Sequence, residues 1–340
     1  MTRLVLPALR ANDTLGFLAA LGVMALCEDG LHVRSRLGWE GPEGCALLDA
    51  PFGDLEELAT ALGELAATWH AEERLTSATD PALISAPLGL KAREALDDAG
   101  ALDPMKMPAA AALARFQGMQ ERELEQSGAD AGWLTALVGQ LTPAKRDVPE
   151  RRLTPLYSPS GQMTLRQVYR DTLETVGRRP HFLTEALAGW LRVEGTGANL
   201  DSRALVDAAD ASRGAAANRY VPGATWLALQ AGAWFTQVGD GVRGEAVAWT
   251  YPRGGGRLRW PVWTPLLSPD AVRVLLAHPA IRWAEASVKD DATARQSRDM
   301  QARRVRERGV LGVVALYDAR RRALSKSAGP LQPPVLLWQA

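Results

Sequence analysis

"NDTLGFLAALGVMALCEDG", residues 12–30, decides how the rest of the chain is read. From Leu15 to Cys27 it runs without a charge, then stops at Glu28 and Asp29. A bilayer span needs about 20 apolar residues, and this run falls well short. An export signal fits no better. Arg10, Asn12 and Asp13 split the leader from the apolar run, and the bulky Leu26 precedes Cys27 where a lipoprotein signal needs a small residue. The reading left is a helix with Asp13 or Thr14 as its N-cap, buried all round because no face of it is polar. Gly16 and Gly22 each cost such a helix about 1 kcal/mol relative to alanine. They would let another backbone approach closely, although plain core packing also accommodates them.

Around this helix, "TRLVLPAL" reads as a short buried strand, and "LHVRSRLGW" and "CALLDA" as a strand pair about the turn "EGPEG". That gives strand, helix, strand, strand. Residues 54–70 place Leu55, Leu58, Leu62, Leu65 and Trp69 at helical spacing. A second helix is expected from Pro108 to Gln126 and a third in "AGWLTALVGQL", with a weakly patterned connection over 73–103. The fold class expected is α+β: this N-terminal unit, a helical middle, and a C-terminal part with a β-hairpin and short helices.

At 340 residues and 47% hydrophobic content the chain can bury a real core as one large or two ordinary domains. Cys27 and Cys45 stand in apolar contexts, which fits free thiols in a reducing, cytoplasmic setting. The net charge of zero conceals a division. Residues 1–144 hold 10 Lys+Arg against 21 Asp+Glu, and residues 145–340 hold 29 against 18. An acidic, protein-facing region 1–144 and a basic, nucleic-acid-facing region 145–340 are therefore expected, as two domains or as two sides of one body. With 34 Arg to 5 Lys the bias also fits a GC-rich genome, so it points only weakly to phosphate recognition.

The basic half opens with Lys145, Arg146, Arg151 and Arg152 in a loop that also carries Tyr157 and serines. Thr164 and Gln167 form a capping-box pair, so a helix is expected from there to Val176. Arg166 and Arg170 fall on one face of it, opposite Leu165, Val168 and Tyr169, and Arg178 and Arg179 close it. A helix N-terminus with arginines nearby can hold a phosphate, and the same pattern serves a solvated helix face. Arg213 and Arg219 precede an apolar helix expected over Ala224–Phe235. In "EAVAWTYPRGGGRLRWPVW", Val247, Trp249 and Tyr251 answer Leu258, Trp260 and Val262 as a hairpin, with Arg257 and Arg259 at its tip or opposite face. "SPDAVRVLLAH" is a short helix capped by Ser268, and "ARQSRDMQARRVRERG" is polar on every side. "GVVALYDARRR" returns as a strand, and "PPVLLW" as one more edge strand.

Catalytic signatures are scarce. His32, His70, His181 and His278 are far apart, so no metal site and no cofactor is expected. No Walker loop, nucleophile elbow or dinucleotide turn occurs, and the chain is not expected to be an enzyme.

"LPALRANDTLGFLAALGVMAL", "DPMKMP", "LTPLYSPSGQMTLR" and "NRYVPGATWLAL", in that order, resemble CRISPR-associated proteins of the type I-G (formerly I-U) systems. The resemblance is to the family described as an extension of the type I helicase-nuclease, with the shorter large-subunit proteins as neighbours. Large subunits often end in a helical bundle, and the hairpin and short helices of the C-terminal third depart from that. The resemblance implies a non-catalytic subunit of an RNA-guided DNA surveillance (Cascade) complex in bacterial antiviral defence. Its partners would be other effector subunits, guide RNA or target DNA, and the helicase-nuclease, with no membrane involved. In such complexes base pairing reads sequence while protein contacts read backbone. A scaffold that recruits the helicase-nuclease without touching nucleic acid is the second reading, and a nuclease with scattered ligands the third.

Overall fold

The computed structural model describes residues 1–79, 136, 144–145, 148–149, 165–195, 197–204, 219–239, 244–250, 256–282, 291–323 and 328–340. The helix expected over Pro108–Gln126, most of the connection over 73–103, the Thr164 cap and residues 252–255 of the "PRGGGR" tip lie outside these residues. Of the helix expected in "AGWLTALVGQL" only Ala136 is described; it is helical and buried, and its carbonyl accepts from Gln237.

The N-terminal unit has the expected order: β1 (Thr2–Arg10), α1 (Thr14–Ala25), β2 (Arg36–Trp39) and β3 (Cys45–Ala50). The strands pair antiparallel in the order β1-β3-β2. Alternation sets the faces: Leu4 and Leu6 of β1, Leu37 of β2 and Leu48 of β3 are buried, while Arg3 and Arg36 flank Asp49 across the other face.

Asp13 caps α1, its carboxylate accepting from the Gly16 amide at 2.9 Å. All twelve residues of α1 are buried. The helix runs on into a π-helical turn, Leu26–Gly30, whose end is set by the Val33 amide donating to the Cys27 carbonyl. Burial pushes the Cys27 thiol up to about 12, so it stays protonated.

On its far side α1 meets the last member of a helical layer, α2 (Leu55–Thr79), α3 (Leu165–Arg178), α4 (His181–Ala188) and α5 (Pro222–Gln230), of which α5 and the 3-10 turn it passes into, Ala231–Trp234, pack against it. A Cβ on Gly22 would lie 1.7 Å from the Leu227 carbonyl oxygen, and one on Gly223 would lie 2.1 Å from that of Phe182. The two glycines let α1, α5 and α4 meet backbone to backbone, with one glycine notching each contact. The last of these helices starts earlier and ends sooner than the run Ala224–Phe235, because Pro222 is tolerated in a first turn, where its missing N–H is not needed.

The second sheet is larger than the hairpin expected from sequence. It has seven strands: β8 (Gln237–Gly239), β9 (Gly244–Ala246), β10 (Trp249–Thr250), β11 (Arg257–Trp263), β12 (Val313–Ala323), β13 (Ala328–Leu331) and β14 (Val335–Gln339). The hairpin itself is present, with Trp249 opposite Leu258. Two short pairs stand apart: β4 (Ala144–Lys145) with β5 (Val148–Pro149), and β6 (Val193–Glu194) with β7 (Arg219–Tyr220). Helices α6 (Pro269–Ala277), α7 (Pro279–Arg282) and α8 (Asp291–Val310) connect β11 to β12. Ser268 caps α6 as expected, accepting from the Ala271 amide.

One hydrophobic cluster runs through both sheets and the helical layer, so the acidic and basic halves of the sequence share a core. Tryptophans carry the junction. The Trp260 indole N–H donates to the Ala11 carbonyl at 2.9 Å and that of Trp263 to the Leu37 carbonyl at 2.8 Å. Phe17 stacks on Trp39 and Trp260, and Leu37 and Leu267 exchange backbone hydrogen bonds. Among the described residues no helix is long and apolar enough to cross a membrane.

Candidate nucleic-acid interface

Helix α3 is amphipathic. Val168, Tyr169, Thr172, Leu173 and Val176 are buried, and the Tyr169 hydroxyl donates to the Leu229 carbonyl at 2.7 Å. Arg170 and Arg178 therefore face outward. Arg178 pairs with Glu174 one turn back at 2.7 Å, an exposed contact that holds the side chain only weakly. Exposed Arg179 lies near the Tyr220 hydroxyl, which also bonds Thr175 and whose pKa is raised by burial. Arg219, exposed in β7, precedes that tyrosine, and its carbonyl accepts from Arg192 at 2.9 Å. Arg178, Arg179 and Arg219, singled out in the sequence, are all exposed, and the fold brings Arg179 near Tyr220, next to Arg219, from some forty residues away.

Arg192 continues the group inward. It faces the buried carboxylate of Asp201 at 3.4 Å, and Arg203 bonds the same carboxylate at 2.7 Å. Arg203 also reaches Asp13 at 3.8 Å and stacks 4.1 Å from the Trp190 ring. Burial raises the Asp13 carboxyl pKa, while the Gly16 amide and Arg203 oppose the shift. The intervening loop is strained. Gly197, Ala198 and Asn199 have φ of 53°, 54° and 57°, a run in the left-handed region that alanine enters at a cost of about 1 kcal/mol or more. The Asn199 carbonyl accepts from Arg321 at 3.4 Å, which joins the loop to the large sheet.

In that sheet the two hairpin arginines part company. Arg257 is one-third exposed and 3.2 Å from Asp318. Arg259 is 6% exposed and bonds the other oxygen of Asp318 at 3.4 Å, so its charge is turned into the fold rather than to the hairpin's open side. Helices α6 and α7 pack against β11 and α8 against β12, the strand that carries Asp318. Burial raises the Asp318 carboxyl pKa, with both arginines opposing it. Lys145 is described only as a residue of β4 and Arg166 only as a residue of α3, while Arg146, Arg151, Arg152 and Arg213 lie outside the described residues.

Chemically, the flank offers guanidinium groups on a rigid support. That is what holds phosphate without reading sequence. Among the described residues no group of His, Cys, Asp and Glu is arranged to hold a metal ion. Sequence reading missed Arg192, Asp201, Arg203 and Arg321, because each partner is distant in the chain or belongs to no local motif. The "VEGTGAN" run, with two glycines and an asparagine beside it, was the one local sign of the turn that gathers them. The chain matches no family model, and no curated protein matches it.

Proposed function

We propose that this chain is a non-catalytic subunit of an RNA-guided DNA surveillance complex of the type I-G CRISPR kind, working in the cytoplasm, and that its arginine flank contacts the phosphates of guide RNA or target DNA. The reading rests on the sequence resemblance for its setting. The structural support is that Arg178, Arg179 and Arg219 are exposed, with Arg179 near Tyr220, the residue after Arg219, and the Arg219 carbonyl bonded to Arg192 of the Arg192–Asp201–Arg203 network. Long guanidinium side chains over a packed support lose less freedom on binding than the same charges on a free loop.

The test is fluorescence anisotropy of the full chain against single-stranded RNA, single-stranded DNA and duplex DNA over a range of salt. Affinity should fall steeply with salt. The triple change Arg178→Ala, Arg179→Ala, Arg219→Ala should flatten the log–log salt slope by roughly 0.7 per lost contact on a single strand, and somewhat more on duplex. Unchanged affinity and slope in a variant that melts like the parent would sink the proposal and favour a scaffold that binds only protein.

A further inference from the structure

We propose that Arg257 and Arg320, side by side on the second sheet, grip one backbone phosphate of a nucleic acid. The inference takes only the class of ligand from the proposed function. It concerns another part of the fold than Arg178, Arg179 and Arg219 and is tested apart from them.

The observation is a like-charged pair that the register sets face to face. Arg257 of β11 is directly opposite Arg320 of β12. The Arg321 amide donates to the Gly256 carbonyl, so that step of the ladder is hydrogen-bonded and the next, Arg257 with Arg320, is not. In such a step the Cα atoms stand about 4.5 Å apart and the two side chains leave the same face at their closest. Like charges directly opposite destabilise a ladder, so the pair works against the free fold.

Two residues along the same face, Arg259 is opposite Asp318. The Asp318 oxygens are divided: Oδ1 lies 3.4 Å from Arg259 and Oδ2 lies 3.2 Å from Nε of Arg257. These two steps of the ladder thus gather three guanidinium groups about one carboxylate. Asp318 and Arg259 are buried, Arg257 is one-third exposed and Arg320 is exposed, so the excess charge lies at the rim. Arg257 is tethered through Nε, and among the described residues no contact engages its terminal amino groups. A guanidinium oriented from behind, with its outer edge open and a second one beside it, fits an oxyanion. Phosphate suits the pair better than carboxylate. Its two non-bridging oxygens can each take one guanidinium edge, whereas Asp318 already supplies the carboxylate that Arg257 and Arg259 share. Thr250, opposite Arg257 on the neighbouring strand β10, puts a hydroxyl in the same row, and hydroxyls also bond phosphate oxygens.

The experiment follows the anisotropy of a fluorescein-labelled single-stranded oligonucleotide with the full chain over a range of salt, with a labelled polyglutamate peptide as second probe. Arg257→Gln with Arg320→Gln removes both charges and keeps hydrogen-bonding groups. It should weaken oligonucleotide binding about tenfold at low salt and flatten the log–log salt slope by roughly 0.7, the value for one phosphate on a single strand. Added to the triple change Arg178→Ala, Arg179→Ala, Arg219→Ala, it should cause the same further loss. Without nucleic acid, Arg320→Gln should melt no lower than the parent, because it relieves the like-charged pair. Loss of binding with the triple change and not with the double one overturns the Arg257–Arg320 contact and leaves the proposed function standing; the reverse result supports the contact and overturns the other. Absence of oligonucleotide binding overturns both. A double variant that loses only the peptide overturns the contact in favour of a protein carboxylate, and a lower melting temperature for Arg320→Gln overturns it in favour of a structural role.

Discussion

Helices α1 and α8 are both without an apolar stripe, for opposite reasons. Every residue of α1 is buried, between the first sheet, α5 and the tryptophans of the second sheet. Between Asp299 and Val310 of α8 only Arg308 is buried, held by its bond to the Ala280 carbonyl and by Trp338. Hydrophobic periodicity reports one-sided burial and is silent when everything or nothing is covered. Packing therefore stabilises α1, whereas over Asp299–Val310 α8 rests on local helix preference and the Arg308 anchor.

The largest test of that contrast is one substitution made in both places. A Cβ on Gly22 meets the Leu227 carbonyl oxygen at 1.7 Å, whereas one on Gly309 meets nothing within 4 Å. Gly22→Ala gains up to about 1 kcal/mol of helix preference but must push two backbones apart, so a net loss of roughly 3 kcal/mol or outright misfolding is expected. Gly309→Ala, with the same preference and open space, should stabilise by a few tenths to about 1 kcal/mol. Urea unfolding of the two variants reads both signs. A neutral Gly22→Ala would mean that α1 and α5 are not in contact at their backbones.

The N-terminus of α1 gives a middle-sized effect. Asp13→Ala removes the cap and the contact with Arg203 and should cost about 1 kcal/mol at neutral pH. Asp13→Asn keeps an acceptor for the Gly16 amide and should cost less. The pH dependence separates the cap from the charge. Burial raises the Asp13 pKa above its ordinary 3.8, so folding favours the protonated form. The contribution linked to that shift is fully present below the unfolded value and is lost as pH rises through the folded one. Relative to Asp13→Asn, the parent should therefore gain stability as pH falls from neutral toward 3.8. A gain in the other direction would show that Arg203 outweighs burial at this carboxylate.

How much of this was legible follows from where each signal lies in the chain. Short apolar runs about the turn "EGPEG" gave the three N-terminal strands, and the Asp13 and Ser268 caps announced α1 and α6. Strands β8 and β9 have three residues each, too short for any period, and their partners are chosen by the sheet rather than by themselves. The indole bonds of Trp260 and Trp263 span 249 and 226 positions, so only the folded chain places them. At the site, helical spacing sets Arg166 and Arg170 on one face opposite Val168 and Tyr169, and of that pair Arg170 is exposed while Val168 and Tyr169 are buried. Alternation in β11 places Arg259 on the face opposite Leu258 and Trp260 but cannot tell that this face is also buried. Asp318, directly across the ladder, is the reason a buried arginine is tolerated there.

The smallest effect belongs to α8 and decides whether that helix is held by anything beyond Arg308. Arg303 bonds Glu307 at 2.8 Å, with Arg303 79% and Glu307 34% exposed at the side chain. Exposed pairs four apart contribute about 0.3–0.5 kcal/mol when the acid precedes the base, and here the order is reversed. Glu307 also stands in the last turn, where the helix dipole favours a cation. Arg303→Ala should thus cost no more than about 0.3 kcal/mol, and the double exchange Arg303→Glu, Glu307→Arg should stabilise by a similar amount at low salt and by less at high salt. Hydrogen exchange of the α8 amides, followed alongside urea unfolding, reads the change where it is made. A loss above about 1 kcal/mol for Arg303→Ala would mean that the polar helix is packed against a surface, and the contrast with α1 would then be one of composition and not of burial.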